Sequence, residues 1–88
     1  MAKTLRFKFE GDQAKKIEEI RSGAATRRIA FHGDLKSGWF SGGMSGTDLE
    51  LKCYYRIIEK EMIVVVEEKP FAYDWKRIES ILRELIEG

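Results

Sequence analysis

A histidine, an aspartate and three serines lie close together in this chain. His32 and Asp34 flank Gly33, and Ser37, Ser41 and Ser45 follow. A hydrolytic triad needs a base within hydrogen-bond reach of its nucleophile and a third group that holds the base. Spacing alone does not supply that reach, and a lone His at the end of a strand is usually a surface or turn residue. No catalytic residue is therefore assigned, although a small enzyme built around His32 stays among the alternatives. The stretch Ser41-Gly42-Gly43-Met44-Ser45-Gly46 invites comparison with a phosphate-binding loop. Such a loop leads from a strand into a helix, whose N-terminus holds the phosphate. Here the glycines lead toward another strand and no Gly-Lys-Ser/Thr follows. Tight turns and bulges in a meander are the expected use of these glycines, and no nucleotide or other cofactor is assigned.

Cys53 alternates with Leu51 and Tyr55 on one strand face, which predicts a buried, unreactive thiol. One Cys and one His cannot build a structural zinc site or an internal disulfide, so no metal is assigned. Trp39 and Phe40 stand side by side among glycines. Exposed rings of this kind stack on the bases of single-stranded nucleic acid, with Arg27, Arg28 and Lys36 placed to meet phosphates. The competing reading, favoured because net charge gives the first no support, packs both rings in the core or over its edge. His32, Trp39 and Phe40 together make a candidate loop site.

Those residues need elements to hold them. Leu5, Phe7 and Phe9 alternate with charged or polar neighbours over Lys3 to Glu10, the period of a half-buried strand. Asp12 is a good N-cap for a helix carrying Ala14, Ile17 and Ile20, and Gly23 is its expected stop. Ala24 to Thr26 connects to a second strand over Arg27 to His32. Gly38 to Met44 reads as a short, irregular strand or a loop. Thr47 to Ile58 is the longest strand. Glu59-Lys60-Glu61 turns it into Met62 to Glu68, and Pro70 ends that strand. Asp74 caps a final helix with a wide apolar stripe of Trp75, Ile78, Ile81, Leu82, Leu85 and Ile86. Tyr73 and Ile78 are spaced for a hydrophobic staple. Glu79, Arg83 and Glu87 are spaced for i,i+4 ion pairs on its solvated side.

The predicted fold class is α+β, ordered β-α-β-(β)-β-β-α. It is one mainly antiparallel sheet of four or five strands with two helices, the C-terminal helix packed across the sheet. Residues 1–88 make one domain, because a chain this short holds one modest core.

The hairpin from Thr47 to Glu68 carries apolar residues on both faces. With a three-residue loop, Ile58 faces Met62 and Tyr55 faces Val65. Tyr54, Ile58, Met62, Val64 and Val66 then share a face that two helices packed on the other side would leave bare. Such a patch marks a partner or ligand surface, and a symmetric homodimer or a hydrophobic ligand is the expected occupant.

The chain has 16 basic and 15 acidic residues and a net charge of +1, which is no footprint for nucleic acid. Nucleic acid is thus not the expected partner on net charge. Charge is uneven along the chain, with nine Lys/Arg against five Asp/Glu in residues 1–47 and seven against ten in residues 48–88. The first ten residues alternate charge with apolarity, unlike a secretory signal. The longest aliphatic run, Met62 to Val66, is too short to cross a bilayer, and the cytoplasm is the expected location.

Residues 31–86 carry His32-Gly33-Asp34, Trp39-Phe40-Ser41-Gly42, Ser45-Gly46, the hairpin to Val66, and Lys69-Pro70-Phe71 leading to Trp75, Ile78 and Leu82. In these turn and core positions the chain resembles small bacterial polyhydroxyalkanoic acid system (granule-region) proteins. The strand before the first helix departs from that pattern. The resemblance implies a small accessory protein associated with hydrophobic storage granules, and implies no active-site residues. The function expected from the sequence is an interaction or binding module that uses an apolar sheet face. The alternative is a single-stranded nucleic-acid-binding domain using Trp39, Phe40 and nearby Arg/Lys.

Overall fold

β1 (Lys3–Lys8) leads into α1 (Gln13–Thr26). β2 (Ala30–Gly33), β3 (Ser37–Gly42), β4 (Leu51–Ile58) and β5 (Glu61–Glu68) follow, and α2 (Trp75–Glu87) ends the chain. This is a computed structural model that describes residues 2–8, 10–42, 50–70 and 72–87. The five strands form one antiparallel sheet in the order β1-β5-β4-β3-β2. β2 to β5 are a meander, and β1 adds to the far side of its last strand. α1 therefore carries the chain from one sheet edge to the other. The architecture is the α+β arrangement that the periodicities predict. Thr47 to Leu49 and Met44, expected in strands, and Phe9 lie outside the described residues.

Both helices cover the same face. Ile17, Ile20 and Ala24 of α1 and Ile78, Leu82, Leu85 and Ile86 of α2 join one buried cluster. The sheet contributes Leu5, Phe7, Phe31, Phe40, Leu51, Cys53, Tyr55, Met62, Val64 and Val66. These strand residues are all cross-strand partners or alternate neighbours of one another, so they point to one side. Among the described residues, no helix lies over the other side of the sheet.

The hairpin register corrects the three-residue loop. Ile58 pairs with Glu61, Ile57 with Met62 and Tyr55 with Val64, leaving only Glu59 and Lys60 in the loop. Glu59 takes φ 57°, at a cost of about 1–2 kcal/mol for a residue with a Cβ. The gain is larger. This register turns Met62, Val64 and Val66 inward, all fully buried, at about 1.5–3 kcal/mol each. Slipping by one would instead turn Ile63, Val65 and Glu67 inward, exchanging a buried valine for a carboxylate. The loop is held to the start of α1: Gln13 Nε2 donates to the Glu59 carbonyl, and Lys60 Nζ donates to the Gly11 carbonyl at 3.2 Å.

Asp12 caps α1 as expected, its carboxylate accepting from the Ala14 N–H at 2.9 Å. The helix does not stop at Gly23. It runs to Thr26 because Ala24, fully buried, continues the stripe of Ile17 and Ile20. Gly23 instead admits the second helix: a Cβ there would lie 3.1 Å from Leu85 Cδ1. The stop is Arg28, in the left-handed region at φ 59°. Ile29 N–H donates to the Ala24 carbonyl at 2.8 Å and Arg28 N–H to the Ala25 carbonyl at 3.1 Å. That pair of bonds is a Schellman motif with Arg28 in the usual place of glycine. α2 starts at Asp74, whose carboxylate accepts from the Arg77 N–H at 2.9 Å, and Arg83 pairs with Glu79 and Glu87 as its spacing predicts.

Candidate binding site on the open sheet face

Alternation dictates what the uncovered face presents. The inward residues of β4 are Cys53, Tyr55 and Ile57, so Lys52, Tyr54, Arg56 and Ile58 point outward. Register then aligns a row across the whole sheet: Thr4 beside Val65, Val65 beside Tyr54, Tyr54 beside Trp39, Trp39 beside His32. The His32 ring stacks on Trp39 with centroids 4.4 Å apart. Trp39 and Tyr54 are each 40% exposed and Ile58 is 51% exposed, large fractions for such side chains.

A second row runs parallel to the first: Arg6, Ile63, Arg56, Ser37. Ile63 is 7% exposed yet belongs outside the core cluster. It sits between Arg6 and Arg56 in register, and long side chains of that kind can cover an apolar neighbour with their stems. Thr4, Arg6, Tyr54, Arg56, Ile63 and Val65 line a shallow depression of about 470 Å³ between the rows. Arg6 is paired with Glu61 at 3.0 Å. Arg56 and Lys52 form no ion pair with a described residue. With Lys8, these cations share the face with Glu61, Glu67 and Glu68, the last directly opposite Lys52. Along β4, Tyr54 has Lys52 on one side and Arg56 on the other, each about 7 Å away at two strand residues.

The predicted site residues divide between the two faces. Tyr54 and Ile58 are on the open face, but Met62, Val64 and Val66 are in the core. In place of the expected apolar patch, the open face carries exposed aromatic side chains among charged ones. Of the loop site, His32 and Trp39 share the open face, whereas Phe40 is 1% exposed inside the core. All three lie in strands β2 and β3 and not in a loop. Arg27 and Arg28 belong to the end of α1. Arg6, Lys52, Arg56, Ile63 and Val65 were not singled out from sequence. Lys52, Tyr54, Arg56 and Ile58 are legible as one face of a strand, but the pairing of β1 with β5 carries no local signal.

Of the triad candidates, Ser45 lies outside the described residues, and His32 and Asp34 have separate tasks. His32 is stacked on Trp39. The Asp34 carboxylate accepts from Lys36 N–H at 2.8 Å and Ser37 N–H at 3.1 Å, closing the β2–β3 turn. Those two N–H donors hold its pKa below the ordinary carboxylate value. The Tyr55 hydroxyl reaches the same turn from the core side and donates to the Asp34 carbonyl at 2.8 Å. Its path runs under Gly33 and Gly38, where a Cβ on Gly38 would lie 2.7 Å from the Tyr55 ring. Burial pushes the Tyr55 pKa up to about 12, with the Asp34 charge adding to it. Cys53 is fully buried, and burial pushes its thiol up to about 12. Among the described residues, no three His, Cys, Asp or Glu side chains are grouped to hold a metal ion. Among the same residues no helix is long and apolar enough to cross a membrane.

No protein-family model matches the chain, and no curated protein matches it either. The class is set by the fold alone: a two-layer α+β domain with a covered and an open sheet face.

Proposed function

We propose that this chain is a binding module whose working surface is the open face of the sheet. Its ligand carries planar rings and negative charge. The observation behind this reading is the row His32, Trp39, Tyr54, exposed on the side that neither helix covers. Leaving Trp39 and Tyr54 in water forgoes burial that a covered face would have gained. Arg56 flanks the row with Ile63 and Ser37 as its register partners and no ion pair to a described residue, so an anion meets an unoccupied donor there. A granule surface, or a purely aliphatic ligand, matches this face less well than the apolar patch expected from sequence, because three of that patch's five residues are in the core.

The test uses mononucleotides as simple ring-and-anion probes. In a Trp75→Phe variant, Trp39 is the only tryptophan. Titration to millimolar concentration, the range of weak single-site binding, is expected to quench Trp39. It should also shift backbone amide resonances of residues 32, 39, 54 and 56 together. Shifts confined to the helical layer, or none at all, would remove the proposal.

A further inference from the structure

We infer that the occupant of the open face is a single-stranded nucleic acid, its bases stacked along the His32–Trp39–Tyr54 row and its phosphates held by Arg56 and Lys52. This rests on the open face being the working surface.

The argument starts from spacing. His32, Trp39 and Tyr54 belong to three adjacent strands in direct register, and neighbouring strands lie about 4.8 Å apart. The exposed side of the stacked His32–Trp39 pair and the exposed Tyr54 ring therefore offer successive platforms to successive bases. Polar groups flank each platform along its own strand. Lys52 and Arg56 bracket Tyr54, and Ser37 and Ser41 bracket Trp39. A stacked base thus has a cation or a hydroxyl on either side to meet its sugar-phosphate chain.

Local charge supports the same occupant. The helices are not the acidic side of the molecule: Lys15, Lys16, Arg21, Lys76, Arg77 and Arg83 stand against Glu18, Glu19, Glu79, Glu84 and Glu87. On the open face Arg6 is paired with Glu61 and Lys52 lies opposite Glu68 in register, whereas Arg56, beside Tyr54, forms no ion pair with a described residue. A duplex is a poorer match, because its bases are already stacked on each other and cannot reach exposed rings on a sheet. Stacking also accepts any base, so the inference is of a sequence-tolerant strand.

The experiment is fluorescence anisotropy with a labelled oligothymidine and an oligouridine of about ten nucleotides, within the usual site size of such surfaces. A duplex of equal length is the control. The single strands are expected to bind at least about tenfold tighter than the duplex. Trp39→Ala and Tyr54→Ala should each weaken binding by about tenfold or more, with circular dichroism unchanged. The logarithm of affinity should fall with the logarithm of salt at a slope of about −1.4 to −2, the value for two or three phosphate contacts on a single strand. Arg56→Gln should flatten that slope by about 0.7.

Equal affinity for duplex and strand, wild-type binding by both aromatic variants, or an unchanged slope in Arg56→Gln would each overturn the inference. Mononucleotide shifts on the open face, with oligonucleotides binding no tighter, would overturn it and leave the binding-module proposal standing. Failure of both probes, or a dimer that shields Trp39 from acrylamide quenching, would overturn both.

Discussion

The register of the β4–β5 hairpin decides which side chains form the core, and two alanine substitutions read it directly. Val64 is fully buried beside Leu5 and Tyr55. Val65 is half-buried on the open face, beside Thr4 and Tyr54. Val64→Ala removes two carbons, worth about 1.6 kcal/mol at about 0.8 kcal/mol per buried methylene. The cavity left behind adds about 1 kcal/mol. The expected loss is about 2–3 kcal/mol. Val65→Ala should cost less than about 1 kcal/mol, since part of that side chain is in water already. The strand propensity lost on replacing Val by Ala is similar at both sites and cancels in the comparison. With a urea m-value of about 1 kcal/mol/M for a domain of this size, the two midpoints should differ by about 1–2 M. Thermal melts should differ by about 5–15 °C. A register slipped by one residue, with a three-residue loop, puts Val65 inward and reverses the order. If Val65→Ala is the more damaging of the two, the assignment of core and open face given above is wrong.

Three other outcomes are expected. Arg28→Gly should stabilise the fold by about 1 kcal/mol, because Arg28 occupies the left-handed Schellman position where glycine has no Cβ penalty; an unchanged or lowered melting temperature would contradict this. Native Cys53 should react with a thiol reagent no faster than the chain unfolds, since it is fully buried with its pKa pushed up to about 12; rapid labelling without denaturant would show otherwise. Stability should decline toward both pH extremes. Asp34, with its pKa lowered, contributes above its ordinary value of 3.8 and loses that contribution as pH falls through the lowered one. Tyr55 and Cys53, raised from 10.0 and 9.0 to about 12, contribute fully below their ordinary values and lose that contribution as pH rises toward 12. Urea midpoints of wild type and Tyr55→Phe compared across pH 9.0 to 12 isolate the tyrosine: the wild type should lose stability faster.

The elements were legible wherever one period dominated. The alternation in β1 and β4 and the stripe of α2 each specify type, face and approximate ends. The Asp12 and Asp74 caps were legible because their side chains act within three residues. The errors came where a distant partner decided the outcome. Gly23 has the composition of a helix stop, but Leu85 needs the room above it, and Ala24 is drawn into the core. Phe40 and Trp39 are adjacent in sequence and so on opposite faces of β3; only the pairing of Phe40 with Cys53 tells which ring is buried. The hairpin loop could hold two residues or three by local chemistry. The count of apolar side chains turned inward settled it, and that count depends on both helices choosing one side. Arg6 and Lys8 of the first strand share a face with Lys52 and Arg56 only when β1 docks on β5, a pairing that no local pattern announces.

The placement of those cations also bears on which occupant the open face favours. A sheet with bare Trp39, Tyr54 and Ile58 would be expected to stack on a second copy of itself. Twofold stacking of this face would withdraw Arg56, which has no ion pair to a described residue, from water at a cost of several kcal/mol, to be set against about 1.5–3 kcal/mol for each aromatic side chain covered. A strand of nucleotides avoids that conflict. Its bases cover the rings, and its phosphates remain at the hydrated margin where Arg56 and Lys52 keep both a counter-charge and water. On the proposed reading, Arg56 thus favours a stacked strand over a second copy of the face. The edges follow the same logic: β2 has only four residues, and Arg6 and Lys8 place charge along β1, so neither edge offers a long uncharged strand for sheet extension.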